Sequence, residues 1–189
     1  GVRTNIHTSY MPTFCDIVPM DHTISVIYEW STIGLYFSPY DRVKCTKVKE
    51  NNLSPEWLSI VEREINTNDV VFLHIDYLDA LGHEKGGGSQ EYADGLQKLD
   101  DTFLKMICQY VEKNPHTMVI MTADHGHTLD PQGSPNHGMH SDSSFPVPFL
   151  LFGNNIAYQN IGIINNNLVA SIIAAVYQKT DEWERLDRI

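Results

Sequence analysis

Basic residues are scarce: 13 lysines and arginines stand against 24 aspartates and glutamates in 189 residues, for a formal net charge of −11. A protein that binds a phosphate backbone gains affinity by displacing counterions with a basic surface, and this inventory cannot assemble one. Nucleic-acid duplex binding is therefore not expected, whereas a small anionic substrate stays open if metal ions carry the positive charge. Long apolar runs are missing too: no stretch reaches eighteen residues, so no segment reads as a transmembrane helix. Cysteine is limited to Cys15, Cys45 and Cys108, an odd and dispersed set that gives neither a disulfide framework nor a metal cluster. The opening GVRTN has no initiator Met and no charged-then-apolar leader pattern, and reads as a processed or truncated start.

What is present fits one globular domain over residues 1–189, because 42% hydrophobic content supports one core at this length and not two. The spacing of Ile24, Ile27 and Tyr28 predicts a helix over 23–32, with IGLYFS following as a short strand after Gly34. SPEWLSIVEREIN predicts a helix with Ser54 as N-cap and Pro55 at its first position. DVVFLHID, TMVIMTA and VPFLLFG are continuous apolar runs of strand length. Between the first two lie a glycine-rich loop, YLDALGHEKGGGSQ, and a long helix on which Tyr92, Leu96, Leu99, Phe103, Ile107 and Tyr110 share a face. NNLVASIIAAVYQ predicts a closing helix. This alternation predicts an α/β class, a three-layer α/β/α sandwich on a mostly parallel sheet, with ligands outside the carboxyl ends of the strands.

The chemistry-bearing residues concentrate at those ends. The first buried strand runs on to Asp76, Asp79 and His83, and the second runs directly into Asp124 and His125. Asp79 is preferred to Asp76 because its four-residue spacing lets it converge with His83. Residues 122–140, TADHGHTLDPQGSPNHGMH, hold four of the nine histidines in a segment too broken by Gly and Pro to be a regular element. His137 lies twelve residues past His125, after a loop long enough to fold back over the rim. Asp and His suit a borderline divalent ion, zinc first and manganese where oxygen ligands dominate. Asp79, His83, Asp124, His125 and His137 exceed what one tetrahedral ion needs, so two metals are expected, as in sites that clamp a phosphoryl displacement.

An Asp-His pair in a loop is more often a turn with an exposed imidazole, and only the combination lifts the metal reading above that background. His127 and His140 flank the ligands as candidate second-sphere donors or contacts to substrate phosphate. His7, His22 and His116 are expected to face solvent, and His74 to be packed within its strand. GGGS at 86–89 lacks the Lys-Ser/Thr ending of a phosphate loop and reads as a connection into the long helix.

DALGH after a buried strand, TADHG after the next, and NHG followed by VPFLLFG resemble the distal half of the alkaline-phosphatase-like metalloenzyme superfamily. The resemblance is strongest over residues 69–153, toward the type I phosphodiesterase/nucleotide pyrophosphatase branch and the GPI ethanolamine phosphate transferases. It implies that Asp79, His83 and His137 hold one metal, and that Asp124 and His125 contribute to the other. In that family an Asp near the domain start and a Thr or Ser nucleophile complete the second ion's surroundings, the nucleophile being transiently phosphorylated. GVRTN resembles the segment after the nucleophile motif, so both residues are expected upstream of Gly1, and the chain is expected to be N-terminally incomplete as a catalyst. Thr4, Thr8, Ser9 and Thr13 lack the context of such a nucleophile. The family's first strand is central in its sheet, so a complementary N-terminal fragment is an expected partner.

The function implied is metal-dependent hydrolysis of a small phosphate ester, of the phosphodiesterase/nucleotide pyrophosphatase kind. Its alternatives are a phosphoethanolamine transferase, a sulfatase, or a non-catalytic metal-binding or interaction module. A phosphoglycerate mutase is disfavoured by the spacing from His125 through His137 to VPF. The resemblance leans the location toward extracytoplasmic or lumenal space, with one formal glycosylation triplet, NLS at 52–54, adding little.

Overall fold

The computed structural model describes residues 13–49, 53–129, 134–137, 146–154, 156–166 and 168–178. Three parallel strands form its largest sheet, with β1 the most buried: β1 (Ile24–Tyr28), β2 (Val43–Lys47) and β3 (Val70–His74), in the order β2-β1-β3. Alternation along β1 sends Ile24 and Val26 to one face and Ile27 to the other. On the first face they pack with Cys15, Val18, Phe37 and Phe72, and on the second Ile27 joins Trp57, Val61, Phe103, Ile107 and Val111. A strand covered on both faces has no polar side to reveal its period, and this is why 23–32 misleads as a sequence. The predicted helix there is a strand, and the predicted strand at IGLYFS is the helix α1 (Ser31–Phe37). β2 carries two lysines and a threonine in five residues, and its weak apolar signal hid it.

Helix α2 (Pro55–Thr67) starts as its sequence dictates, with Ser54 Oγ accepting the Trp57 N–H at 3.2 Å and Pro55 at the first turn. It buries Trp57, Val61 and Glu64, spaced by four and three. Glu64 is fully buried and accepts hydrogen bonds from Ser25 of β1 at 2.9 Å, Lys44 of β2 at 2.7 Å and Arg63 at 2.9 Å. Burial alone would raise its carboxyl, but those hydrogen bonds outweigh it and hold the group at about 2. One side chain thus ties α2 to two strands.

YLDALGHEK is not loop but a nine-residue helix, α3 (Tyr77–Lys85), and the glycines that suggested a loop lie mostly beyond its end. The long helix is α4 (Gln90–Leu99) and α5 (Lys105–Lys113), joined through a π-helical turn at Asp100–Leu104, where the Lys105 N–H reaches Asp100 O. That wider turn shifts the helical phase. Phe103, Ile107 and Val111 are buried, while Leu96, expected on the same face, is half exposed. β4 (Met118–Thr122), β5 (Thr128–Leu129), β6 (Pro135–Asn136), β7 (Phe149–Gly153) and α6 (Leu168–Val176) follow. The mostly parallel sheet predicted is found in β1–β3, while β4 pairs with β7 antiparallel in a separate two-stranded sheet. Val119, Met121 and Phe152 still pack against the core that α2 and α5 share with β1, and the parallel sheet with its helices confirms the α/β class.

Candidate metal centre

The carboxyl ends of β3 and β4 supply the centre. Past β3 the chain takes Asp76 as the N-cap of α3, which places Asp79 in the first turn and His83 one turn later on the same side. Past β4, the loop to β5 delivers His125 and His127, and His137 follows β6, which is paired with β5. All four imidazoles direct Nε2 at one carboxylate. His127 Nε2 lies 2.9 Å from Asp79 Oδ1, His83 3.5 Å from Oδ2, and His137 and His125 3.7 and 3.8 Å from Oδ1. The rings pack among themselves, His125 stacked on His137 at 3.8 Å and 12°.

Only His127 is within hydrogen-bonding distance of the carboxylate. The other three stand off by separations close to the N···O distance across a tetrahedral ion, about 3.4 Å for bonds of about 2.0–2.2 Å. Two groups of donors lie within 4.8 Å of one another: Asp79, His83 and His137, and Asp79, His125 and His127. One carboxylate and four imidazoles make a donor set that fits borderline divalent ions. Burial holds His127 below the ordinary imidazole value, against the pull of Asp79, and also holds His137 down, helped there by His125. Both are thereby favoured in the neutral form, the one that can ligate.

His127 is the most enclosed of the four, its side chain 4% exposed. Its ring sits in a socket formed by two glycines: a Cβ on Gly82 would fall 2.3 Å from Nε2, and one on Gly87 2.8 Å from the His127 Cβ. Its Nδ1 is buried without a hydrogen-bond partner among the described residues.

The first predicted ligand set, Asp79, His83 and His137, is brought together. His125 meets Asp79 and His127 in the second group. Asp124 belongs to neither group: its side chain is 77% exposed, with Oδ1 accepting the His125 N–H and Oδ2 3.6 Å from His125 Nε2. His140 lies outside the described residues, as do His7, Thr4, Thr8, Ser9 and Asn52 of the NLS triplet. Thr13 caps a short 3₁₀ turn at Phe14–Asp16. His116 is exposed, and His74 lies within β3 with a buried Nδ1. Sequence reading missed the glycine socket, whose only signal was the pair of glycines flanking HEKG.

The chain is 33% identical over 103 residues to mouse GPI ethanolamine phosphate transferase 1, covering 52% of this chain and 11% of that protein. It is 28% identical over 94 residues to a 2,3-bisphosphoglycerate-independent phosphoglycerate mutase of Pyrobaculum neutrophilum, covering 50% of this chain and 20% of that protein. The matched parts are therefore small fractions of both relatives. The second match removes the ground for setting the mutases aside by spacing, and neither match singles out the nucleotide pyrophosphatase branch. With four imidazoles gathered on one carboxylate and the Metalloenzyme superfamily profile matching residues 36–179, the chain belongs to the Metalloenzyme superfamily.

Proposed function

We propose that this chain carries the metal platform of an enzyme that hydrolyses or transfers a small phosphate ester, with zinc as the resident ion and manganese as the alternative. The observation that carries the reading is the convergence of His83, His125, His127 and His137 on Asp79. Asp79, His83 and His137 would hold one ion. His125 would hold the second with Asp79 and His127, or with Asp124 after that exposed side chain turns inward. Each ion, when bound, supplies Lewis-acid polarisation of a phosphoryl oxygen. The residues' own work is to hold neutral imidazoles and one shared carboxylate in a fixed array, with His127 locked by its glycine socket. No nucleophile is assigned to the residues named.

Within this class the sequence resemblance favours phosphodiester hydrolysis, and the likeness to the ethanolamine phosphate transferase favours transfer as the second reading. Calorimetric titration of the zinc-loaded protein with inorganic phosphate, phosphoethanolamine and sulfate tests the substrate class. Binding of phosphate compounds that requires zinc and disappears with chelator is expected. A zinc-loaded protein that binds sulfate in preference, or none of the three, contradicts the proposal.

A further inference from the structure

We infer that Glu29 is a positioning residue for the metal platform, its buried carboxylate holding the N-terminus of α3 so that Asp79 and His83 face the histidines of the β4 side. The inference rests on the proposed metal site. Glu29 directly follows β1 and is fully buried, while its neighbour Trp30 is half exposed, so the chain leaves the core immediately after placing this carboxylate. The parallel register opposes Tyr28 to His74, which sets Glu29 beside the link between β3 and α3. There Glu29 Oε2 accepts the backbone N–H of Asp76.

Asp76 is the N-cap of α3 and its own side chain makes no capping hydrogen bond. A carboxyl oxygen arriving from the end of β1 thus takes one of the donors that a helix start leaves unsatisfied. Burying a carboxylate is costly unless it is hydrogen-bonded, so its presence at this depth calls for a task that an apolar residue could not perform. The task fits the geometry. Asp79 and His83 lie three and seven residues past Asp76 on one short helix, so a shift of its first turn moves both donors together. Ligand distances tolerate about 0.2 Å, so a small shift is enough to spoil the array.

Zinc affinity, measured by chelator competition, tests the inference in wild type, Glu29→Gln and Glu29→Met, with Val61→Ala as a core-destabilised control. Glu29→Gln keeps an oxygen for the Asp76 N–H and is expected to stay within about threefold of wild type. Glu29→Met keeps the length without the acceptor and is expected to bind about 10- to 100-fold more weakly, the range for lost support of a metal ligand. Val61→Ala, which loses stability away from the site, is expected to bind as wild type does. Amide exchange of Asp76 in the unmutated protein needs no variant: slow exchange, slowed further by zinc, is expected, and exchange at the unprotected rate overturns the inference. A folded Glu29→Met that binds zinc as tightly as wild type also overturns it. Wild type that binds no zinc removes the metal site itself, which separates the two failures.

Discussion

Replacing Gly82 with Ala should weaken both the fold and the site, against the ordinary rule for helices. An alanine inside a helix is worth about 0.5–1 kcal/mol over glycine from propensity alone. Here the added Cβ would stand 2.3 Å from Nε2, 2.4 Å from Cδ2 and 2.5 Å from Cε1 of His127. Those distances are about 1 Å inside the usual carbon contact of about 3.5 Å, so the imidazole must retreat. It has little room to do so: Gly87 sits against its Cβ, and the rings of His83 and Tyr92 lie 5.2 and 6.2 Å away. Overpacking of this kind costs about 1–3 kcal/mol, and the lost hydrogen bond to Asp79 adds about 1 kcal/mol. The expected balance is a net loss of about 1–3 kcal/mol in urea unfolding of the metal-free protein, with zinc binding weakened as His127 leaves the array. A Gly82→Ala protein as stable as its parent, with unchanged zinc affinity, refutes the socket.

Three further outcomes follow from the same contacts. Glu64 is held at about 2 against an ordinary value of 4.5, so its contribution is full above about pH 4.5 and is lost as pH falls through 2. That drop corresponds to roughly 3 kcal/mol unscreened, and the half-exposed positions of Lys44 and Arg63 trim it to about 1–2 kcal/mol. The stability gap between wild type and Glu64→Gln should therefore shrink from pH 5 to the lowest pH at which both fold, and a constant gap in denaturant titrations contradicts the assignment. Ser54→Ala should cost about 1 kcal/mol by removing the α2 cap while leaving zinc affinity unchanged. Asp124→Asn separates the two compositions proposed for a second ion site: unchanged zinc content favours His127 in the second set, and loss of one ion favours Asp124.

The cluster around Asp79 was legible in the sequence because metal chemistry calls for residue types at fixed offsets. Asp79 and His83 had to share a helix face or a tight loop, and His125 had to follow an apolar strand, so their meeting could be anticipated without knowing that DALGH is helical. Where the reading failed, burial had erased the pattern. β1 is covered on both faces and its single polar residue, Ser25, is satisfied by Glu64, so its spacing mimicked a helix. The π turn at Asp100–Leu104 leaves no compositional mark, and Leu96 was misplaced with it. His127 resembled a neighbour of the ligands because the glycines that seat it come from α3 and the loop beyond, far away in sequence. Glu29 could not be read at all while the strand before it was taken for a helix.

The most direct test is the zinc content of the purified protein after extensive dialysis, by elemental mass spectrometry, for wild type, His83→Ala, His125→Ala and Asp79→Asn. Asp79 belongs to both donor groups while each histidine variant touches one. The account predicts retained zinc in wild type, a partial loss in each histidine variant and the largest loss in Asp79→Asn. A folded Asp79→Asn protein that keeps the wild-type zinc content contradicts it.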